Sequence, residues 1–399
     1  MIEKNTSNSV HVPKYILPLI IVSQFCCTSL WFAGNGVMDA LIETNHLEAS
    51  VLSFLTSAVQ FGFILGTFVF ALFSISDRFS PSKVFMMSAI LAACFNCGLV
   101  LENQPLIILL LLRFFTGFFL AGIYPVGMKI AADYYHQGLG KALGFLVGAL
   151  VLGTAFPHLL SNVLQQFPWQ MVIYTTSLLS VLGGVLIVLF VPDGPFRKSS
   201  SKVDVTILSK LFKDREFKAA AFGYFGHMWE LYAFWAFTPI LLKTYNVLHP
   251  GTNLNIALYS FIIIASGTLS CCVSGIMSKI KGLKRSAYYI LLASTVCCLI
   301  SPFFFYINSA SLFVLFLIFW GMVVVADSPL FSTLVAYNTR PETKGSALTI
   351  VNCIGFSITI ISIQTLGFLQ TIMHPMFMFV FLAIGPILGL IALNKSKAR

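Results

Sequence analysis

Three charged side chains stand out inside long apolar stretches of this sequence, namely Arg113, Glu230 and Asp327, and His227 lies three residues before Glu230. A charge at the centre of a membrane-spanning helix costs roughly 2.5–3.5 kcal/mol on the insertion scale, so such a residue is expected to face a cavity or a partner. Burial favours the protonated form of a carboxyl, and alternation between wet and dry surroundings would load and release a proton. The four residues therefore predict binding or proton-transfer chemistry inside a membrane.

The two carboxyl residues differ in local setting. Glu230 comes about twelve residues into its apolar stretch, which is roughly 18 Å of helical rise and places it near the membrane midplane. His227 shares its helical face three residues earlier and is a candidate proton relay. Asp327 precedes Ser328-Pro329, where the missing proline amide frees a carbonyl and favours a kink. Glu230 is either the coupling group or a static buried carboxyl, and Asp327 either binds substrate or proton or caps local backbone.

Arg113 keeps its charge under ordinary conditions, and three roles are open to it. It can clamp an anionic group of a substrate, pair with a carboxylate that substrate displaces, or hold two helices together. Tyr124 lies on the same helical face, three turns further on, and is a secondary candidate.

A polar stripe marks one face of the first apolar stretch. Its members follow the i, i+4, i+7, i+11 spacing of a helix: Gln24, Thr28, Trp31 and Asn35. Aromatic residues such as Trp31 either stack on a solute or pack between helices. The stripe predicts a polar and aromatic lining for the same cavity.

The elements that carry these residues are membrane helices. Of 399 residues, 58% are apolar and only 10% charged, far less charge than a soluble domain carries. Continuous apolar runs with scattered Gly and Pro favour helices over the alternating strands of a barrel. Twelve windows are long enough to cross about 30 Å of hydrocarbon: 15–38, 50–74, 83–101, 105–130, 139–163, 169–192, 218–243, 254–278, 286–307, 311–336, 345–371 and 375–394. The fold class predicted is an all-α polytopic membrane protein.

Lysine and arginine fall on one side of the predicted membrane. If the N-terminus is cytoplasmic, 22 of the 24 basic residues lie in cytoplasmic segments, and only Lys243 lies in the opposite loops. Positive charge is retained on the cytoplasmic side of short loops. We expect a multi-pass protein of the cell membrane, in the bacterial inner membrane, with both termini in the cytoplasm. The net charge of +10 then reflects topology and contact with the lipid bilayer, so no nucleic acid partner is predicted.

The chain repeats itself at an offset of 204 residues. Phe115, Gly117 and Pro125 recur as Phe319, Gly321 and Pro329. This predicts two six-helix bundles, at 1–192 and 218–399, made by duplication. Between them, 193–217 is predicted to be a cytoplasmic linker with an interfacial helix, because apolar residues recur there at helical spacing among lysines.

No metal site and no cofactor are predicted. The nine cysteines all fall in apolar stretches, and Cys94 and Cys97 have zinc-like spacing without a second ligand pair. Buried small hydrophobes are their expected role. The first apolar stretch lacks a small-x-small cleavage site, so it is predicted to be a first span rather than a leader peptide.

Two loops, after the second and eighth apolar stretches, carry a similar pattern of glycines and charged residues. The residues are Asp77, Arg78 and Lys83 in the first copy and Gly275, Gly282 and Arg285 in the second. They resemble a signature of the major facilitator superfamily, Gly-x-x-x-Asp-Arg-x-Gly-x-Arg-Arg, in which Phe73 replaces the first glycine of one copy and Lys279 replaces the acid of the other. The resemblance implies a gating role for both loops.

The fourth stretch resembles another signature of the same family, matched by Arg113, Gly117 and Ala121. In that family the first, fourth, seventh and tenth helices line a central cavity, which implies that the charged candidates meet there. The segments 224–235 and 29–35 resemble a bacterial branch loosely associated with cyanate and nitrate carriers.

These observations predict a secondary active transporter that works by alternating access. Proton coupling is expected, with a small anion or metabolite as the substrate, and we expect a monomer. The alternatives are a proton-driven exporter of drugs or toxic compounds and a membrane sensor that transports nothing. No enzyme is predicted, because neither a nucleotide-binding loop nor a catalytic cluster occurs in the sequence.

Overall fold

The computed structural model describes residues 12–48, 50–135, 139–197, 208–340 and 343–395. In these ranges the regular structure is helical, and ten helices are long and apolar enough to cross a membrane. The short apolar helix α1 and the 34-residue helix α7 complete twelve spans. The spans are α1 (Ile16–Thr28), α2 (Val51–Leu72), α3 (Pro81–Val100), α4 (Leu106–Tyr134), α5 (Leu139–Val163), α6 (Gln170–Phe190), α7 (Arg215–Leu248), α8 (Ile256–Lys281), α9 (Leu283–Phe304), α10 (Ala310–Tyr337), α11 (Lys344–Ile372) and α12 (Pro375–Asn394). The predicted all-α membrane fold is confirmed.

Three of the spans are interrupted. After Thr28, α1 continues as the short helices Ala33–Gly36 and Met38–Thr44. The first segment of α10 ends at Ala326, just before Asp327, so the helix is interrupted at the place where Pro329 predicts a kink. Span α4 is interrupted in the same way before Tyr124-Pro125, for the same reason: proline has no amide to donate and suits the first turn of a new segment.

The 204-residue offset extends to the contacts of the repeated residues. Gly117 of α4 packs so close to α2 that an added Cβ would lie 2.0 Å from the carbonyl oxygen of Val59. Gly321 of α10 packs on α8 in the same way, 2.2 Å from the carbonyl oxygen of Ile263. Val59 and Ile263 are themselves 204 residues apart, so both glycines allow equivalent close helix approaches.

A second pair of equivalent positions holds the same helices together by different means. An added Cβ at Gly66 of α2 would lie 2.3 Å from the carbonyl oxygen of Phe118. The equivalent residue of α8, Ser270, instead donates a hydrogen bond of 2.6 Å to the carbonyl oxygen of Met322. Tight packing in the first half is thus replaced by an interhelical hydrogen bond in the second.

The two bundles meet chiefly along α5 against α8 and α2 against α11. We call the helix ends that carry Arg78, Lys83, Lys129, Lys279 and Arg285 the basic face, and the ends that carry Asp39, Glu43, Glu102 and Lys243 the opposite face. Polar contacts between the bundles cluster at the opposite face, where Gln364 of α11 donates to Ser57 of α2 at 2.8 Å. Midway along α5 and α8, Thr268 donates to the carbonyl of Gly148 at 3.2 Å.

Towards the basic face the bundles diverge. A Cβ added at Gly144, one turn from Gly148, would meet no described atom within 4 Å, and the same holds at Gly275 of α8. The space between the bundles therefore widens at the basic face and is closed at the opposite face.

The predicted division of the chain at 192 and 218 stays a prediction. Helix α7 begins at Arg215, where the side chain of Asp214 caps it by accepting from the amide of Phe217 at 2.8 Å. Much of the predicted interfacial helix lies outside the described residues, in 198–207, and the described part forms a short helix over Leu208–Leu211.

Candidate functional site

An aromatic cluster fills the centre of the contact between the bundles. Trp31 of α1 lies 4.7 Å from Phe63 of α2 and 5.7 Å from Tyr232 of α7, measured between ring centroids. Phe356 of α11 contacts Phe63 at 4.6 Å. Trp31 is buried, and its indole nitrogen has no hydrogen-bond partner among the described residues. A solute between the bundles would meet rings and this indole N–H.

His227 of α7 and Asp327 of α10 form a buried pair, which is an ion pair when the imidazole is protonated. Nδ1 of His227 lies 2.8 Å from Oδ1 of Asp327, and both side chains are 1% exposed. The two atoms are at ion-pair distance but are not aligned as a hydrogen bond, and no other described residue bonds to either side chain. Tyr224 and Phe331 flank the imidazole, with ring centroids about 6 Å away. The pair is therefore buried in a largely apolar setting.

Glu230, three residues after His227 on α7, bonds to other residues of the second bundle. Three donors converge on its Oε1: the hydroxyl of Ser294 at 2.6 Å, the indole N–H of Trp320 at 2.7 Å and the thiol of Cys298 at 3.2 Å. They come from α9 and α10, so the carboxyl joins three helices. His227 contacts Asp327 rather than Glu230, so these distances do not support a relay between His227 and Glu230.

Arg113 of α4 binds the end of the first segment of α1. Its Nη1 donates to the carbonyl of Leu30 at 3.2 Å and to Oδ1 of Asn96 at 3.3 Å, and its Nη2 donates to the carbonyl of Trp31 at 2.5 Å. In an uninterrupted helix, the carbonyls of Leu30 and Trp31 would accept from the amides four residues later. Because α1 is interrupted after Thr28, they lack those donors. A guanidinium, with its fork of donors and its positive charge, satisfies them at the negative end of the helix dipole.

The uncharged candidates are placed separately. Gln24 is fully buried against α4, where an added Cβ at Gly127 would lie 2.3 Å from its Oε1, and its amide has no hydrogen-bond partner among the described residues. Asn35 donates to Oγ1 of Thr56 at 2.9 Å, which ties α1 to α2. Tyr124 is half-buried at the start of the second segment of α4.

The first gating-loop copy is tied to two other parts of its bundle. Asp77 lies 2.7 Å from Nζ of Lys129 on α4. Arg197, just after α6, donates to the carbonyl of Asp77 at 3.0 Å and pairs with Asp193 at 2.5 Å. The loop therefore links α2, α4 and α6 at the basic face, while the Arg78 and Lys83 side chains are exposed.

The second copy is more open. Gly282 has φ +86°, a left-handed conformation that glycine adopts without strain, and it separates α8 from α9. Lys284, next to the exposed Arg285, lies 3.6 Å from Glu216 at the start of α7. In this copy Lys279 stands at the position of the acid, and the negative charge near the loop comes instead from Glu216 of α7.

The structure brings His227 and Asp327 together and leaves Arg113 and Glu230 in separate contacts within each bundle. Their roles as site residues stay predictions. The sequence reasoning missed the partners, among them Asn96, Ser294 and Trp320, because single polar residues in apolar helices carry no motif.

Comparison with known proteins identifies the family. The profile described as Major Facilitator Superfamily matches residues 20–363. This chain belongs to the major facilitator superfamily. Members of this family are membrane transporters rather than enzymes, so the chain is a multi-pass membrane protein of a transporter family.

Individual relatives are distant. The MFS antiporter QDR3 of Candida albicans is 27% identical over 200 residues, which cover 49% of this chain and 28% of that protein. The putative niacin/nicotinamide transporter NiaP of Bacillus subtilis is 25% identical over 174 residues, covering 42% of each. The matches therefore span less than half the length of these relatives. The solved proton:xylose symporter XylE has a TM-score of 0.73 at 14% identity, covering 95% of this chain and 94% of that one, which confirms the fold alone.

Proposed function

We propose that this protein is a secondary active transporter that moves a small solute by alternating access and couples that movement to protons. The observation that carries the proposal is the ion pair between His227 and Asp327, buried in two membrane-spanning helices. Ionisable residues at that depth are costly and mark solute or proton pathways. Transport is the family's activity, whereas coupling, solute and direction are specific to this proposal.

The uneven contact between the bundles supports alternating access. They touch at the opposite face through pairs such as Gln364 with Ser57 and separate beyond Gly148 towards the basic face. We place the basic face and both termini in the cytoplasm, by the distribution of Lys and Arg, and the protein in a bacterial inner membrane. In that orientation the described conformation faces inward.

The His227 and Asp327 pair is better suited to proton coupling than Glu230. Three donors hold one oxygen of Glu230 in place, so moving that carboxyl breaks three hydrogen bonds. A proton on Asp327 removes its charge and weakens its attraction to His227. The first segment of α10 ends beside Asp327. Protonation of Asp327 would therefore act where α10 is interrupted, at a point where the helix can bend as the second bundle moves.

The lining favours a small metabolite with a flat or aromatic surface. Trp31, Phe63 and Tyr232 offer ring faces at the bundle contact. Arg113 gives no support to an anion clamp, because its guanidinium already binds two carbonyls and Asn96. The same aromatic surface favours the second candidate, proton-driven export of a lipophilic compound, which agrees with the antiporter name of the Candida relative.

A thermal-shift screen of the purified protein tests the solute class. The panel contains xylose, the matched pair nicotinate and nicotinamide, and the lipophilic cation tetraphenylphosphonium, each at an acidic and a mildly alkaline pH. Nicotinate and nicotinamide differ mainly in charge, so equal stabilisation by both supports a neutral aromatic site. Stabilisation by nicotinate alone would contradict the assignment of Arg113 to helix contacts. Stabilisation by tetraphenylphosphonium alone would favour export.

Asp327→Asn tests the coupling in proteoliposomes with the best ligand from that screen. We expect solute counterflow to persist while accumulation driven by a pH gradient is lost, because asparagine cannot take up the proton. Ser328→Ala, the neighbouring change at the same helix end, is the matched control and should retain both activities. Undiminished gradient-driven accumulation in Asp327→Asn would overturn the assigned coupling site.

A further inference from the structure

Two aromatic rings enclose the imidazole of His227. The ring centroids of Tyr224 on α7 and Phe331 on α10 lie 6.1 and 6.3 Å from that of His227. Each ring packs against a glycine: a Cβ added at Gly355 of α11 would lie 2.5 Å from Cε1 of Tyr224, and one added at Gly223 of α7 would lie 2.3 Å from Cε1 of Phe331. Because neither contact leaves room for a methyl group, both rings are held closely beside the imidazole.

The hydroxyl of Tyr224 is tied to another helix. It donates to Oδ1 of Asn352 on α11 at 2.9 Å. Tyr224 therefore meets His227 with its ring, while its polar end is held by Asn352. One hydrogen bond and one glycine contact together fix the orientation of this ring.

Asn352 lies on the side of α11 that faces the first bundle. Phe356, one turn further along α11, contacts Phe63 of α2 with ring centroids 4.6 Å apart, and residues four positions apart share a helix face. Asn352 is on the basic-face side of that contact, where the space between the bundles widens, and it is only half-buried. Exposure falls from Asn352 to Tyr224, which is 5% exposed, and to His227, which is 1% exposed. This order places Tyr224 between the gap and the imidazole.

We propose that Tyr224, held by Asn352, is a cover over His227 that limits how readily water from the gap reaches the pair of His227 and Asp327. The role of the cover in transport rests on proton coupling at that pair, as in the proposed function. Tyr224 is a positioning residue, because it bonds to neither member of the pair. When its bond to Asn352 breaks, the ring can turn away, and a proton can then reach the imidazole from the gap.

Chemical modification of His227 tests the cover. The full-length protein in nanodiscs is treated with diethyl pyrocarbonate, which reacts with accessible imidazoles, and each histidine is followed by mass spectrometry of its peptide. Because His227 is buried, its reaction requires a local opening. The rate at His227 therefore reports how often the cover is open.

Two variants remove the same hydrogen bond from opposite ends. Tyr224→Phe keeps the ring and removes the hydroxyl, whereas Asn352→Leu keeps the tyrosine and removes the acceptor. Each should raise the modification rate at His227 about three- to tenfold, the change in an opening equilibrium when one hydrogen bond of ordinary net strength is lost. The double variant should be no faster than the faster single variant, because both changes remove one shared bond.

A pair of glycines tests the packing of the ring separately. Gly355→Ala pushes against Tyr224 and should also raise the rate at His227. Gly345→Ala is the matched control on the same helix, with no described atom within 4 Å of the added carbon, and should leave the rate unchanged. Tyr232→Phe is the control for loss of a buried phenol hydroxyl on α7, and it should leave the rate at His227 unchanged as well.

Two other histidines serve as internal references. His46 is exposed and reports the concentration of reagent, while His158 of α5 is buried in the first bundle and reports general loosening of the fold. Both should react at the parent rate in every variant. A rise at His158 equal to the rise at His227 would mean that the whole protein is loosened, and it would overturn a local cover.

The outcomes are separate from those of the transport proposal. An unchanged rate at His227 in both Tyr224→Phe and Asn352→Leu, or additive effects in the double variant, would overturn the cover even if Asp327→Asn abolishes gradient-driven accumulation. If His227 responds as expected while Asp327→Asn retains gradient-driven accumulation, the cover is confirmed and the assigned coupling site is wrong.

Discussion

Replacing Arg113 with methionine removes the guanidinium that binds the interrupted end of α1. The change keeps an unbranched side chain of similar reach but removes all three hydrogen bonds, to Leu30, Trp31 and Asn96. The hypothesis tested is that Arg113 positions helices within the first bundle and does not bind an anionic solute.

The magnitude follows from the three acceptors left behind. A buried acceptor without a donor costs about 1–3 kcal/mol, and the carbonyl of Leu30 takes the low end of that range because the amide of Ala33 still donates to it at 3.4 Å. With the carbonyl of Trp31 and Oδ1 of Asn96 at the middle of the range, the gross loss is about 5 kcal/mol. Removing a buried charge lowers this cost by roughly 2.5–3.5 kcal/mol, its usual cost at mid-membrane, so the net destabilisation expected for Arg113→Met is about 2 kcal/mol.

The assay compares thermal unfolding of the purified variants in one detergent. Arg113→Lys keeps the charge but cannot reach all three acceptors with one ammonium, so we expect a smaller loss of about 1–2 kcal/mol. Leu111→Met is the matched control: Leu111 is 44% exposed two positions earlier on the same helix, so methionine there should change stability by less than about 0.5 kcal/mol.

One pattern would refute the reasoning. If Arg113→Met unfolds at the parent temperature and loses only the stabilisation by an anionic ligand such as nicotinate, the guanidinium is a solute clamp and its hydrogen bonds to α1 contribute little. Loss of stability without loss of relative ligand affinity in the folded fraction supports the helix contact.

Three further variants address other parts of the fold. Glu230→Gln should change the free energy of unfolding by less than about 1 kcal/mol in thermal unfolding, because the amide oxygen can take the place of Oε1 and still accept from all three donors, while gradient-driven accumulation per folded protein persists. Gly117→Ala should lower the free energy of unfolding by about 1–3 kcal/mol, because the added methyl group overpacks against a carbonyl. Gly144→Ala, with no described atom within 4 Å of the added carbon, should leave that free energy unchanged or raise it by up to about 1 kcal/mol. Asp77→Asn should lower the free energy of unfolding by about 1 kcal/mol. In a Lys129→Met background, where the ion pair is already lost, the same change should lower it by nearly nothing.

Each of these has its contrary result. Loss of gradient-driven accumulation with intact counterflow in Glu230→Gln would make that carboxyl the proton carrier. Equal effects of alanine at Gly117 and Gly144 would mean that α2 and α4 are not packed as described. Equal costs of Asp77→Asn in both backgrounds would show that the contact with Lys129 does not stabilise the loop.

Much of the architecture could be predicted from the sequence because it depends on local composition. Apolar windows and proline positions act along one helix, so the all-α fold and a disturbance of α10 before Pro329 could be predicted. The equivalent interruption before Pro125 follows the same rule but was not predicted. The sequence showed only that Gly117 recurs as Gly321. It could not show that Gly117 packs on α2, because the carbonyl that it approaches belongs to another helix.

The sequence predicted which residues belong to the candidate site better than it predicted which of them contact each other. The cost of burying charge selected Arg113, Glu230 and Asp327, helical spacing added His227, and all four are buried. Which of them meet depends on how helices are rotated against one another, and helix rotation is set by packing of many side chains at once. Thus the spacing of His227 and Glu230 places them on one helix face, but the residue that His227 contacts is Asp327 on α10.

The sequence by itself determined that this chain is a helical membrane protein with residues repeated at an offset of 204 and a few ionisable groups among apolar residues, because hydropathy, repeat offset and charge bias are properties of the chain in order. Only the tertiary structure decided the partners: carbonyls of α1 for Arg113, three donors for Glu230, and Lys243 opposite Asp39 at the closed end. The physical reason is that a hydrogen bond or ion pair in a helical bundle joins residues far apart in sequence, whose distance is set when the helices pack.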